Sequence, residues 1–352
     1  MECAPDVWTF FFLMKNDIER INDYIINISN DIHYWMVRTM GGEYYHEFVE
    51  KEFIAIGYNE IKLDELNRIN PDDHVAIYQL RNRIADIYQD PKRPGHIVSQ
   101  LIRFCKHIHF GDVIVLPGPS SYEVSLCRVK GEVYEEKYLK NMNPECPFEK
   151  RIPIKVIRTT PRLTLSPKAQ FMFNSRHPIS NIDDYATYID NSMMDYYEKG
   201  DETHVVLKID TDEEVSASSF FDFYSLMSIT ENFCKENNIT GTARETAMKV
   251  QMESKGLLHF ISSNKHYLAL LALGILFING GGLKIHYGDL DIDLSTQGIF
   301  KSYSEYLDRK MDREMKESIK NSLDSLQIKT PKDFLKASIE LYKVQSSKRK
   351  EY

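Results

Sequence analysis

The run Tyr267–Ile278, YLALLALGILFI, constrains the fold more than any other stretch of the chain. It is about a dozen apolar residues, ended at once by Asn279 and Gly280-Gly281-Gly282, where a membrane-spanning helix needs about twenty. A buried core helix is the reading that fits, and with it no constitutive membrane span. At 352 residues the chain has room for such a core and for about two to three units, because single cores stop growing well before this length. Hydrophobic residues at 42% with charged residues at 27% exclude a disordered or collagen-like chain. The net charge of -8 means that the molecule as a whole repels a polyanion, so any nucleic-acid contact requires a local basic patch.

The five cysteines, Cys3, Cys105, Cys127, Cys146 and Cys234, are scattered, with no C-x-x-C pair to hold a metal or a redox disulfide. A reducing compartment fits them. The start, MECAPDVWTFFFLMKNDIER, is acidic and only briefly apolar, unlike a secretory signal, and a cytoplasmic location is expected.

Along the chain, residues 1–31 read as an added arm in which Ile18, Ile21, Ile25 and Ile28 recur at helical spacing. From Ile32 the pattern alternates: strand HYWMVRT, glycine turn and short helix GGEYYHEFVEKEF, strand FIAIGY. Helices follow over 72–90 and 95–108, with Pro94 at a first-turn position. GDVIVLPGPSSYEVSLCRVKGEVY reads as two strands about a Gly-Pro-Ser turn, and RIPIKVIRT as another. A boundary is expected near residue 200, after the polar run MMDYYEKGDETH. Beyond it the pattern gives a strand at 204–210, helices at 218–236, 241–256 and 264–278, a hairpin LKIHYG/DLDIDL and two charged helices. The expected class is α+β: a mixed β-barrel with inserted helices over 32–200, then a mostly helical α+β domain over 201–352. No repeat at a fixed period is present.

Between Trp35 and Val133 the segments WMVRTMGGEYYHEFVEKEFIAIGYNEI and SQLIRFCKHIHFGDVIVLPGPSSYEVSLCRVKGEV carry a series of local patterns: a strand ending in Arg, Gly-Glu opening a helix, an Ile-Gly strand, a Gln-Leu helix, and Gly-Asp before a strand ending in Pro. In order and spacing this series resembles the PUA-like, EVE-related domain of Mrr-type and McrB-associated modification-dependent restriction proteins, over roughly residues 32–190. The chain departs from the family's pattern at Tyr58, where Trp is usual, at Ser99-Gln100-Leu101-Ile102 and at Cys127. The resemblance implies a PUA-like barrel that senses a modified base in nucleic acid, DNA rather than RNA, within antiviral defence or restriction.

A base modification is read in a groove or by flipping the base into a pocket with stacking walls and edge hydrogen bonds. Candidates for such a base pocket are Trp35, Arg38, Gly41, Gly42, Tyr58, Ser120 and Tyr122. Five of them have a plainer explanation: core for Trp35 and Tyr58, a turn before a helix for the two glycines, a solvated hairpin tip for the serine. Lys150, Arg151, Lys155 and Arg158 along one strand are the candidate phosphate contacts, against a scattered solvated face.

Other chemistry has thinner support. A nuclease would draw its carboxylates from Glu253, in Glu253-Ser254-Lys255, and from Asp289, Asp291 and Asp293, which alternate along DLDIDL and could hold Mg²⁺. Solvated helix charges for Glu253 and a charged edge strand for the aspartates are the commoner explanations. No phosphate loop and no serine elbow is present. The expected function is a sensor of nucleic acid whose C-terminal domain, or a partner effector subunit, carries the response; self-association is compatible with this, and no cofactor is required. The alternatives are a modification-dependent, metal-requiring nuclease and a membrane-acting effector using residues 264–278.

Overall fold

A computed structural model describes residues 24–88, 93–136, 146–211, 216–251, 256–280, 284–287, 290–293, 298–328 and 331–339. The fold is α+β, and the chain divides into two compact units, Asp31–Met193 and Met194–Tyr352 with Met1–Asn30. A short strand, β1 (Ile26–Ile28), comes first; it pairs in parallel with a strand of the second unit, so Ile25 and Ile28 do not continue the expected helix. Main-chain pairing across a sheet has overridden the helical spacing of the isoleucines.

The unit Asp31–Met193 is built on one mixed sheet that curls into a half-barrel. Its strands are β2 (Tyr34–Val37), β3 (Phe53–Ile56), β4 (Val113–Pro117), β5 (Glu123–Val129), β6 (Tyr134–Glu135), β7 (Lys150–Pro161) and β8 (Ile179–Asn181). The order is β3-β7-β5-β4-β2-β8, with β6 also on β7. Only β2 and β4 run parallel, which requires a long crossover, and the chain supplies it with β3 and the helices Leu63–Arg68, His74–Ile87 and Pro94–Ile102. Pro94 sits in the first turn of its helix, where a missing N–H costs nothing. Strands β2, β3 and β4 are buried along their whole length, as their unbroken apolar sequences require. The Gly-Asp before β4 is structural, since buried Asp112 accepts from His33 N at 2.9 Å, Trp35 Nε1 at 2.9 Å and His109 N at 3.0 Å. Three N–H donors compensate the carboxylate for its lost water.

The second unit begins earlier than residue 200, with β9 (Tyr196–Lys199), then β10 (Glu202–Lys208), β11 (Ala247–Gln251) and β12 (Leu257–Ser262) in the order β1-β9-β10-β12-β11. The helix expected over 241–256 is instead a single 3-10 turn, Ala243–Glu245, leading into β11. Pairing of Ala247–Gln251 with β12 outweighs the local helical preference of that segment. One sheet face, with Tyr196, Val205, Leu207, Leu258 and Phe260, packs into the helical core. In that core lies the helix Lys265–Gly280, every residue of which from Tyr267 to Leu276 is buried. Each such Leu or Ile contributes about 1.5–3 kcal/mol relative to exposure. Among the described residues no helix is long and apolar enough to cross a membrane. The hairpin is present as β13 (Lys284–Tyr287) with β14 (Leu290–Asp293), and the charged helices as Gly298–Lys310 and Arg313–Ser325.

Candidate nucleic-acid interface

Strand directions decide where the loops of the first unit gather. β2 and β4 end at the same edge of the sheet, β5 and β8 begin there, and β7 ends there, with Val37 opposite Ile179, Pro117 opposite Val124 and Glu123 opposite Pro161. The segments 38–42, 118–122, 161–164 and 171–178 therefore form one rim. Cross-links hold it together. Thr39 Oγ1 donates to Pro117 O at 2.7 Å, Arg162 N donates to Tyr122 O at 2.8 Å, and the Arg162 guanidinium lies 4.7 Å over the Phe173 ring.

The rim's backbone is unusual. Met40, Gly41, Gly42, Ser120 and Ser121 all have positive φ, at 52°, 71°, 105°, 52° and 55°. For non-glycine residues this conformation costs of order 1–3 kcal/mol each and persists only where surrounding structure enforces it. The enforcing contact is the approach of the two loops: a Cβ on Gly42 would stand 2.5 Å from Pro119 Cα, so only glycine lets the loops meet.

Tyr122 projects from this junction 82% exposed, beside a cleft of about 500 Å³ lined by Pro119, Glu123, Thr159, Thr160 and Pro161. Below it, Tyr45 Oη, Ser125 Oγ and Thr159 Oγ1 form a hydrogen-bonded chain with steps of 2.7 and 2.8 Å. Farther along the rim, Arg38 leaves the end of β2, and its Nη2 donates to Phe173 O at 2.8 Å and its Nε to Ser175 O at 3.1 Å. With Phe173, Asn174 and Arg176 it lines a second cleft, of about 680 Å³.

Five of the residues expected in a base pocket are thus brought together on one rim: Arg38, Gly41, Gly42, Ser120 and Tyr122. Two are not. Trp35 is 4% exposed, with its indole N–H bound to Asp112, and is a core residue. Tyr58 follows β3 at the opposite edge of the sheet, half-buried, with its ring edge-on to Tyr88 at 5.4 Å.

The expected phosphate strand is also corrected. Lys150 is 0% exposed and donates to Tyr58 O at 2.9 Å and Ile61 O at 3.0 Å. Arg151 is buried, bound to Phe148 O and Cys146 O, and stacked 3.9 Å over Phe53. Lys155 and Arg158 are exposed, but Lys155 pairs with Glu52 at 2.9 Å and Arg158 donates to Ser192 O at 2.9 Å. Successive residues of a strand face opposite sides, and both sides of β7 are covered where it starts.

Of the nuclease candidates, Glu253 and Asp289 lie outside the described residues. Asp291 and Asp293 stand on β14 opposite His286 and Lys284. Among the described residues no group of three or more His, Cys, Asp or Glu side chains could hold a metal ion.

One basic neighbourhood is not legible in the sequence as a unit. Arg103, from the end of one helix, and His177, from the approach to β8, line one cleft because β8 pairs with β2. By spacing alone Arg103 belongs only to a local basic cluster on its own helix; the run Ser175-Arg176-His177-Pro178 is the one signal for its partner. No protein-family model matches the chain, and no curated protein or solved structure matches it either.

Proposed function

We propose that the protein senses nucleic acid, DNA with a modified base in preference to unmodified DNA, through the loop rim of a PUA-like unit, residues 31–193, in a cytoplasmic defence or restriction system. The second unit or a partner subunit carries the response. The observation that supports this most is Tyr122, an almost fully exposed aromatic held by strained loops beside a cleft and on the same rim as Arg38. A solvated hairpin tip has no need of an aromatic, whereas a base needs a flat apolar partner.

Fluorescence polarisation with modified and unmodified oligonucleotides, each with and without Mg²⁺, tests the proposal. Tyr122→Ala should leave the melting temperature in place and weaken binding to the modified base by about 1–3 kcal/mol, or about five- to 150-fold. Equal affinity of the parent and Tyr122→Ala proteins for every oligonucleotide would remove the rim from consideration. Mg²⁺-dependent nicking would favour the nuclease alternative.

A further inference from the structure

We infer that the cleft between the end of the helix Pro94–Ile102 and the segment leading into β8 binds the phosphate group of a nucleotide. The cleft measures about 440 Å³, and its lining includes Arg103, Phe171, Asn174, His177, Asn181 and Tyr185. That volume lies within the range of about 300–1,000 Å³ usual for small-ligand sites.

Arg103 and His177 line it, with His96 beside His177 just outside the lining. The rings of His96 and His177 lie 4.9 Å apart at a tilt of 45°. Burial first, then repulsion from His177, Arg103 and Arg93, lowers the pKa of the His96 imidazole. Among the described residues none of Arg93, His96, Arg103, Arg176 and His177 pairs with a carboxylate. Asp183, two residues from the lining residue Asn181, is engaged by His33 Nδ1 at 2.8 Å, Tyr34 N at 2.7 Å and Asn181 Nδ2 at 2.8 Å. In a chain of net charge -8, the Arg93 and Arg103 guanidiniums, both close enough to repel a proton from His96, carry positive charge without a carboxylate partner, and a bound anion offsets it.

The cleft is also built to hold its shape. Arg103 Nη1 donates to Ile179 O at 3.2 Å, and Ser175 Oγ meets Ser180 Oγ at 2.6 Å. After Ile102 the helix widens into a turn closed by Ile108 N on Arg103 O, an i to i+5 bond of a kind frequent at functional sites. Guanidinium and imidazole N–H groups match phosphate oxygens in charge and geometry. Phe171, 60% exposed at the lip, offers a face on which the attached base can stack, and this points to a nucleotide rather than free phosphate.

The nucleotide as ligand rests on the nucleic-acid reading above; the phosphate cleft does not. The full-length protein is titrated with inorganic phosphate, a nucleoside 5′-monophosphate and the unphosphorylated nucleoside while the histidine Cε1–H resonances are followed by NMR. The resonances of His96 and His177 should move with the two phosphate compounds and stay still with the nucleoside, and that of His74, at the start of another helix, should not respond. His177→Ala, at an exposed position, should keep the melting temperature and weaken monophosphate binding about tenfold, as expected for one charge-assisted hydrogen bond. Binding of the monophosphate at least about tenfold tighter than inorganic phosphate supports the nucleotide. Equal affinities overturn the nucleotide and keep the phosphate cleft. If neither phosphate compound moves His96 or His177, the inference fails, and Tyr122→Ala with oligonucleotides still decides the rim independently.

Discussion

Two sets of basic residues in the same unit have opposite fates. Lys150 and Arg151 are neighbours in sequence, lie on one strand and are spent on carbonyl oxygens and an aromatic ring inside the fold. Arg103 and His177 are far apart in sequence and face one open cleft. The difference arises where β7 starts: both faces of the sheet are packed there, so the alternating side chains enter the interior, Lys150 toward the carbonyls of Tyr58 and Ile61 and Arg151 over the Phe53 ring. Charge that is dense in sequence marks a binding surface only where the strand has an uncovered face. Charge assembled by topology can offer one without any local density.

The most severe way to break this comparison is Lys150→Glu. The substitution puts a carboxylate against the carbonyls of Tyr58 and Ile61 at a site with no exposure and leaves both oxygens without their donor. An uncompensated buried charge costs about 3–5 kcal/mol, a large part of the stability of a domain. Circular dichroism should show loss of the cooperative melt of this unit, and Lys150→Met, which restores volume without charge, should recover part of it. A Lys150→Glu protein that melts like the parent but no longer binds phosphate would restore the strand as the contact surface.

The second unit holds a buried basic pair of a different kind. His204 Nδ1 and His259 Nε2 are 2.8 Å apart, and Tyr197 stacks on His204 at 4.5 Å. Burial, with lesser repulsion from nearby cations, pushes His204 down to about 4 and His259 down to about 3. An unfolded histidine takes its proton near 6.5, so as pH falls below that value the unfolded chain binds protons that the folded pair refuses. Stability therefore declines from about pH 6.5 downward, and the decline ends only near pH 3. Asp195 opposes this. Burial and the Asp333 charge push it up to about 6, so the folded state takes its proton first between there and 3.8. One group against two leaves a net loss. Denaturant midpoints should be lower at about pH 5 than at about pH 7, and the His204→Gln protein should show a flatter dependence. Identical slopes for the parent and the variant would remove the pair as the cause.

Much of the fold was legible because apolar strands and capped helices announce themselves locally. FIAI, VIVLP and the Pro94 helix fall where the sequence puts them. Ala247–Gln251 does not, because its strand exists only through pairing with β12, a partner that no window of the sequence contains. The site divides in the same way. The rim's glycine and serine loops were visible as turn chemistry, and Tyr122 with them. For Trp35 the plainer core reading holds, and its acceptor, Asp112, lies far away in sequence. The cluster of Arg103 with His177 depends on the crossover between β2 and β4 and the return of β8, which sequence spacing alone does not encode.

The open region has its own structural dependence, of smaller size. Gly42→Val drives a branched side chain into Pro119 at a position of φ 105°, whereas Gly41→Ala meets open space and suffers only from its φ of 71°. Gly42→Val should cost about 1–3 kcal/mol or more and should abolish discrimination by the rim, since the loops can no longer meet. Gly41→Ala should cost about 1 kcal/mol and preserve it. Equal losses for both would show that backbone conformation, and not loop contact, shapes the rim.

The smallest effect is expected at Lys155, and it sharpens the comparison most. This lysine is exposed on β7, so it is a member of the sequence cluster whose exposure would permit phosphate contact, but its ammonium pairs with Glu52 at 2.9 Å. A solvent-exposed ion pair contributes little, because water and salt screen both charges and two side chains lose freedom to form it. Lys155→Ala should leave the denaturation midpoint and the affinity for a nucleoside monophosphate where they are, while His177→Ala loses affinity under the same conditions. Because neither substitution disturbs a packed layer, any difference between them reports contact with the ligand and not folding. A fall in affinity for Lys155→Ala equal to that for His177→Ala would mean that both faces collect phosphate through general charge, and the cleft would lose its distinction from the strand.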